Sequence, residues 1–149
     1  MAISLSFQKR FNELLEESCY TRKELANLIP ISQSTLSNVL TYGIIPSTKT
    51  LMKIADFFEI SINYLLGKTD VEEFYKNSSP ANFLSRFESL CAEKEVTHYK
   101  VANDCLFDKS NISRWLSKGF LPELEILELL CDYFNVSPDY LLGRTDYKD

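Results

Sequence analysis

Glycine is scarce in this chain, with 4 in 149 residues; proline numbers 5, cysteine 4, and histidine and tryptophan 1 each. So little glycine excludes a collagen-like or low-complexity chain, and no Gly-rich loop that could cradle phosphate is present. The cysteines (Cys19, Cys91, Cys105 and Cys131) form no Cys-x-x-Cys and have no histidine at ligand spacing. Buried, reduced thiols are therefore expected, not a disulfide framework or a metal site. No apolar run is long enough to cross a bilayer. The opening Met1-Ala2-Ile3-Ser4-Leu5 lacks the basic and apolar regions of a secretion signal. A cytoplasmic chain without membrane contact is expected. His98 has no nucleophile or carboxylate cluster beside it, and pairs such as Glu16-Glu17 and Glu72-Glu73 read as solvated surface. The sequence predicts no enzyme, no cofactor and no small-molecule substrate.

Positive charge is also in deficit. The net charge is −5, from 16 basic and 21 acidic residues. Nucleic-acid binders are usually basic overall, so bulk composition counts against that class. The imbalance is uneven: residues 1–76 carry a net −1 and residues 77–149 a net −4. Local placement of charge must decide.

What the chain does have is a repeat. Leu65-Leu66-Gly67-Lys68-Thr69-Asp70 returns as Leu141-Leu142-Gly143-Arg144-Thr145-Asp146, an offset of 76. Held at that offset, residues 7–70 lie on 83–146 without a gap, and roughly a third of the pairs are identical. Phe7, Arg10, Phe11 and Tyr64 fall on Phe83, Arg86, Phe87 and Tyr140. The chain is a duplication of a unit of about 65 residues, large enough to fold alone with a marginal core. The predicted organisation is a first domain over 1–70, a linker over 71–79, a second domain over 80–146 and a polar tail over 147–149 without evident role.

Each unit reads as five short helices. In the first, Phe7, Phe11, Leu14 and Leu15 have helical spacing. Thr21-Arg22-Lys23-Glu24 is a capping box that opens a second helix, stopped by Pro30. Ser32 caps a third, running to Val39 or Leu40 and ended near Gly43. Ser47 and Ser61 cap the fourth and fifth. In the second unit, Ser79 and Pro80 are expected to start the first helix. Thr97 caps the next but Lys100 stands where the box needs Glu, and Asp108 and Ser137 cap the third and fifth. No stretch alternates with the period of a strand.

The second and third helices carry the functional signal. Ala26 is small where two helices must cross closely, and Leu25, Ile31, Leu36 and Val39 hold the crossing. The outer face of the third helix is Gln33, Ser34, Ser37, Asn38 and Thr41; its counterpart is Lys109, Ser110, Asn111, Ser113, Arg114 and Ser117. A helix fits the major groove, and Gln, Asn, Arg and Lys pair with base edges there.

The Thr-x-x-Glu-Leu-Ala opening, the Ser-x-Ser-Thr-Leu-Ser entry to the third helix, and the ending Ile-Ala-Asp-Phe-Phe-x-Ile-Ser-x-x-Tyr-Leu-Leu-Gly-x-Thr-Asp together resemble the Cro/phage-repressor (XRE-type) helix-turn-helix family. The resemblance implies an all-α fold of two tandem five-helix lambda-repressor-like domains and a sequence-specific regulator of transcription, a repressor, acting on double-stranded DNA. It assigns base contacts to Gln33, Ser34, Ser37 and Asn38, and to Lys109, Ser110, Asn111 and Arg114. It assigns phosphate contacts to Thr21, Arg22, Tyr42 and Lys49, and to His98 and Lys118, helped by the helix N-termini. The turn where the family favours Gly holds Pro30 in one copy and Leu106 in the other, which predicts a reshaped turn. Asp104, Asp108, Glu123 and Glu125 near the second reading helix should repel phosphates, so the first copy is the more typical reader.

A linker of roughly ten residues spans about 33 Å when fully extended, close to the roughly 34 Å between half-sites. One chain could serve two half-sites with its linker stretched, or a homodimer could do so. The rival reading is a protein-interaction module, antitoxin-like or anti-defence, gripping a protein partner through the second domain. The acidity of that half and the pair Phe120-Leu121 motivate it. Ile44-Ile45 and Phe120-Leu121 lie under the fourth helix or form a contact, and Trp115 is expected in the core.

Overall fold

A computed structural model describes residues 2–149. The chain divides into two compact units, Met1–Phe74 and Tyr75–Asp149, and the described residues form helices and one isolated β-bridge. The first unit comprises α1 (Leu5–Ser18), α2 (Arg22–Leu28), α3 (Gln33–Tyr42), α4 (Thr48–Phe58) and α5 (Ile62–Leu65). The second comprises α6 (Phe83–Lys94), α7 (His98–Cys105), α8 (Ser110–Lys118), α9 (Leu124–Phe134) and α10 (Pro138–Leu141).

The caps set the boundaries. Ser4, Thr21, Ser32, Ser47 and Ser61 each accept an amide of the first turn that would otherwise lack a partner. Both halves of the predicted capping box form: Thr21 Oγ1 accepts from Glu24 N at 3.2 Å, and Glu24 Oε1 accepts from Thr21 N at 3.0 Å. That second bond, with the Thr21 hydroxyl after it, holds the Glu24 carboxyl below its ordinary range. α3 runs two residues past the predicted end before Gly43 takes the left-handed conformation.

The first unit packs α1 against α3 and α5, with α2 on α3 and α4 on α5. Phe7, Phe11, Leu25, Leu36, Leu51, Ile54 and Leu65 are fully buried at the centre. In the second unit Trp115 is buried as expected, edge-on to Phe83 and Phe87. Arg10 and Arg86 do the same job in each copy. Arg10 lies over the Tyr64 ring at 3.9 Å and donates to the Tyr64 carbonyl at 2.7 Å and to Asp70 at 3.1 Å; Arg86 covers Tyr140 and reaches Thr145 and Asp146. Cys91, Cys105 and Cys131 are buried, Cys19 is exposed, and none forms a disulfide.

Several expectations need correction. Ser79 and Pro80 do not start a helix. α6 begins at Phe83, and Asn82 caps it by accepting from Ser85 N at 2.9 Å. The preceding segment is drawn elsewhere: Asn77 N donates to Arg144 O at 3.0 Å, Ser78 N to Asp146 at 3.1 Å, and Tyr75 O accepts from Thr145 Oγ1 at 2.6 Å. Glu72, in turn, accepts from Tyr64 Oη at 2.9 Å. The stretch 71–79 is thus held to both units, and a fully extended linker would require these bonds to break. The last residues are docked as well. Ser137 N donates to Lys148 O at 2.6 Å, Lys148 Nζ pairs with Glu93 at 3.0 Å, and the Tyr147 ring meets Tyr75.

Asp108 does cap α8 chemically, accepting from Ser110 N at 2.8 Å, although the regular helix starts after Lys109. The turn before it is not reshaped. Leu106 adopts the left-handed conformation a glycine would take, at φ 61°. Leu106 is 90% exposed, so its side chain contributes little burial against that strain. A left-handed residue with a Cβ costs about 1–2 kcal/mol, and glycine's greater freedom in the unfolded chain offsets part of the relief. Leu106→Gly should therefore stabilise the second unit by about 0.5–1 kcal/mol, read by denaturation followed through Trp115; a loss of stability would contradict this account.

Candidate nucleic-acid interface

α3 is held by its inner face. Leu36, Val39 and Leu40 are buried, and Ala26 of α2, only 2% exposed, leaves the close crossing that a larger side chain would block. Its C-terminal end is pinned from α1. Gln8 Nε2 donates to the carbonyls of Leu40 and Thr41 at 3.2 and 2.9 Å, and Asn12 Nδ2 to Leu40 O at 3.1 Å. These bonds satisfy carbonyls that the helix end leaves without partners, and they tie that end to α1. The sequence reading missed Gln8 and Asn12. Their spacing of four, which puts both on one face of α1, was the available signal.

The opposite face turns outward. Gln33, Ser34 and Ser37 are exposed and Asn38 is half-buried. Positions i, i+1, i+4 and i+5 form one stripe on a helix, so all four predicted readers share it. Ser34 shares a hydroxyl contact with the cap Ser32 at 3.3 Å. No described residue hydrogen-bonds the side chains of Gln33, Ser37 or Asn38. Around the stripe, Thr21, Arg22, Tyr42 and Lys49 are exposed, and neither Arg22 nor Lys49 forms an ion pair among the described residues. Lys53, by contrast, reaches the Pro30 carbonyl at the turn, at 3.4 Å.

The second copy keeps the layout and engages its polar groups internally. Asn111 uses both ends of its amide: Nδ2 donates to Asp108 O at 3.0 Å, and Oδ1 accepts from Arg114 at 2.7 Å. Asn111 therefore positions Arg114. His98 pairs with Glu88 and lies against the Phe87 ring. Lys100 pairs with Asp104 at 3.2 Å. Asp104 also accepts from Tyr133 Oη at 2.7 Å, and these bonds, that of Tyr133 first, hold its carboxyl below the ordinary range. Asp108 is lowered by the Ser110 amide. Lys109 and Lys118 lie 5.7 and 6.0 Å from the Tyr99 and Phe120 rings. Ser110 is exposed. The α8 end has no clamp like that on α3, because Leu84 and Glu88 stand where Gln8 and Asn12 do. Tyr99, Leu106 and Phe120 are exposed apolar residues on this unit; of these, Tyr99 was not singled out from sequence.

Among the described residues no His, Cys, Asp and Glu group could hold a metal ion, and no helix is long and apolar enough to cross a membrane.

Comparison with known proteins gives two tandem family matches. Residues 12–65 match a family described as helix-turn-helix, and residues 86–146 one described as the Cro/C1-type HTH DNA-binding domain. The chain is 30% identical over 126 residues to the HTH-type transcriptional regulator ImmR of Bacillus subtilis (strain 168), covering 81% of this chain and 98% of that protein. It is also similar to a crystal structure of a transcriptional regulator from Listeria innocua, at 19% identity and a TM-score of 0.38, covering 74% of this chain and 94% of that one.

Proposed function

The chain belongs to the helix-turn-helix transcriptional regulators of the Cro/C1 type, and from that premise we propose that it is a repressor whose first unit is the principal DNA reader. α3 lies in the major groove, with Gln33, Ser34, Ser37 and Asn38 at the base edges. Thr21, Arg22, Tyr42 and Lys49 grip the phosphates on its flanks. The observation that carries this reading is the α3 stripe: Gln33, Ser37 and Asn38, whose side chains no described residue hydrogen-bonds, on a helix clamped by Gln8 and Asn12, between Arg22 and Lys49, which form no ion pair among the described residues.

The second unit is the weaker reader. Lys109, Ser110 and Arg114 offer contacts to bases and Asn111 acts through Arg114. His98 and Lys118 reach phosphate only by leaving Glu88 and Phe120. Two chains, joined as a homodimer, then present two first units to a pair of half-sites. A second reading, in which the second unit grips a protein, draws on the exposed Tyr99, Leu106 and Phe120.

The test is salt dependence on a selected duplex. Binding should fall with a log–log slope of about −0.9 per neutralised phosphate. Arg22→Ala and Lys49→Ala should each flatten the slope by about 1, and His98→Ala by less. Binding that is indifferent to salt, or slopes that respond only to the second-unit substitutions, would contradict the assignment.

A further inference from the structure

The two units treat one backbone edge differently. In the first, Ala2–Ser4 lies antiparallel to Gly43–Ile45. Ser4 N donates to Gly43 O at 2.9 Å and Ile45 N to Ala2 O at 3.0 Å, on either side of an Ile3–Ile44 bridge. A Cβ on Gly43 would meet the Ser4 carbonyl at 2.8 Å. In the second unit nothing lies within 4 Å of that point on Gly119, and Phe120 is 55% exposed. Gly119, Phe120 and Leu121 make no backbone hydrogen bond outside the helix with any described residue. The chain cannot close this edge with its own preceding segment. At the repeat offset Pro80 stands where Ser4 does and has no N–H to donate, while Asn77 and Ser78 are engaged with Arg144 and Asp146.

We propose that the Gly119–Leu121 edge pairs with the same edge of a second copy of this chain, antiparallel and centred on Phe120. The first unit shows what such an edge offers: the carbonyl of the glycine and the N–H two residues on. A two-fold axis through Phe120 carries each Leu121 N–H to the Gly119 carbonyl of the other copy. One register then satisfies both groups on both chains, as an isologous contact requires. The two Phe120 rings face each other at the close spacing of a non-hydrogen-bonded pair and leave water together. A borrowed N-terminal segment fits less well, because it is already paired in its own unit and moving it opens one edge to close another. Three residues and a ring per copy bury much less than the roughly 1,000 Å² of a stable interface, so the pairing is weak in solution and depends on concentration. It gives the proposed homodimer a contact surface and needs neither DNA nor a reading role for α3.

The test uses the full chain without DNA. From micromolar to millimolar concentration, sedimentation should show a monomer–dimer equilibrium, and the amide resonances of Gly119, Phe120 and Leu121 should move with it. Phe120→Lys sets like charges face to face and should weaken association by about tenfold or more. Its unfolding midpoint should stay unchanged, because the side chain it replaces is exposed. Val71→Lys, an equal change at an exposed site elsewhere, should leave association intact. A chain that stays monomeric throughout, or a dimer that survives Phe120→Lys, overturns the proposal. It also falls if a peptide of residues 1–6 moves those amides while the chain itself stays monomeric, since the edge would then accept a foreign strand and not its own copy.

Discussion

Replacing Gln33 and Asn38 together by alanine is expected to erase most of the chain's preference for its operator over random duplex. A well-placed amide at an adenine edge discriminates by about 1–3 kcal/mol. Two such contacts correspond to roughly 30-fold to 10⁴-fold in the ratio of specific to random binding. Non-specific affinity should survive, because it depends on the phosphate contacts of Arg22 and Lys49. The fold should survive as well. Both side chains lie on the outer stripe of α3, and neither contributes to the clamp made by Gln8 and Asn12. Lys109→Ala with Arg114→Ala should shorten the selected motif without abolishing it. Selection of bound sequences from a random library, at near-physiological salt, measures all three proteins at once. A folded double variant that keeps the wild-type motif would remove α3 from base reading.

The largest effect on stability is expected at Arg144. Its guanidinium pairs with Asp139, and both side chains are only 5% exposed. Removing one partner of a buried pair leaves an uncompensated charge, which costs about 3–5 kcal/mol. Arg144→Met should therefore lower the stability of the second unit by that amount. Removing both charges supplies a rescue: Asp139→Asn with Arg144→Met leaves no unpaired ion and should recover most of the loss. Trp115 is the one tryptophan of the chain and lies in the second-unit core, so its fluorescence during denaturation reports that unit. A loss below about 1 kcal/mol in Arg144→Met, the range of an exposed pair, would show that the pair is not buried in solution.

Much of this was legible in the sequence because it is local. A cap and the amide it satisfies are three residues apart, so Thr21, Ser32, Ser47, Ser61, Thr97 and Ser137 could be placed by reading along the chain. Helical spacing sorted inner from outer residues, which put Leu36, Val39 and Trp115 inside and the α3 stripe outside. The duplication was plain from the recurring Leu-Leu-Gly ending. Where local reading failed, a distant partner had overridden it. Ser79-Pro80 has the composition of a helix start, but the chain just before it, Asn77 and Ser78, is held by Arg144 and Asp146, more than sixty residues away.

The sequence by itself determined the all-α repeat, the caps, the helix-turn-helix and the identity of the outward side chains, because periodicity and capping are short-range and act on neighbours. Only the tertiary structure decided which of those side chains are engaged by internal hydrogen bonds and which edge stays unpaired among the described residues. Those outcomes depend on contacts between segments far apart in the chain. Gln8 and Asn12 reach the end of α3, Glu88 holds His98, the Tyr75–Ser78 segment is tied to residues 143–146 beside the buried Arg144, and Ile3 pairs with Ile44 while no described segment pairs with Phe120. Two copies of nearly one pattern thus differ in which backbone edge is paired, through substitutions such as Ser4 against Pro80 whose effect is felt across the fold.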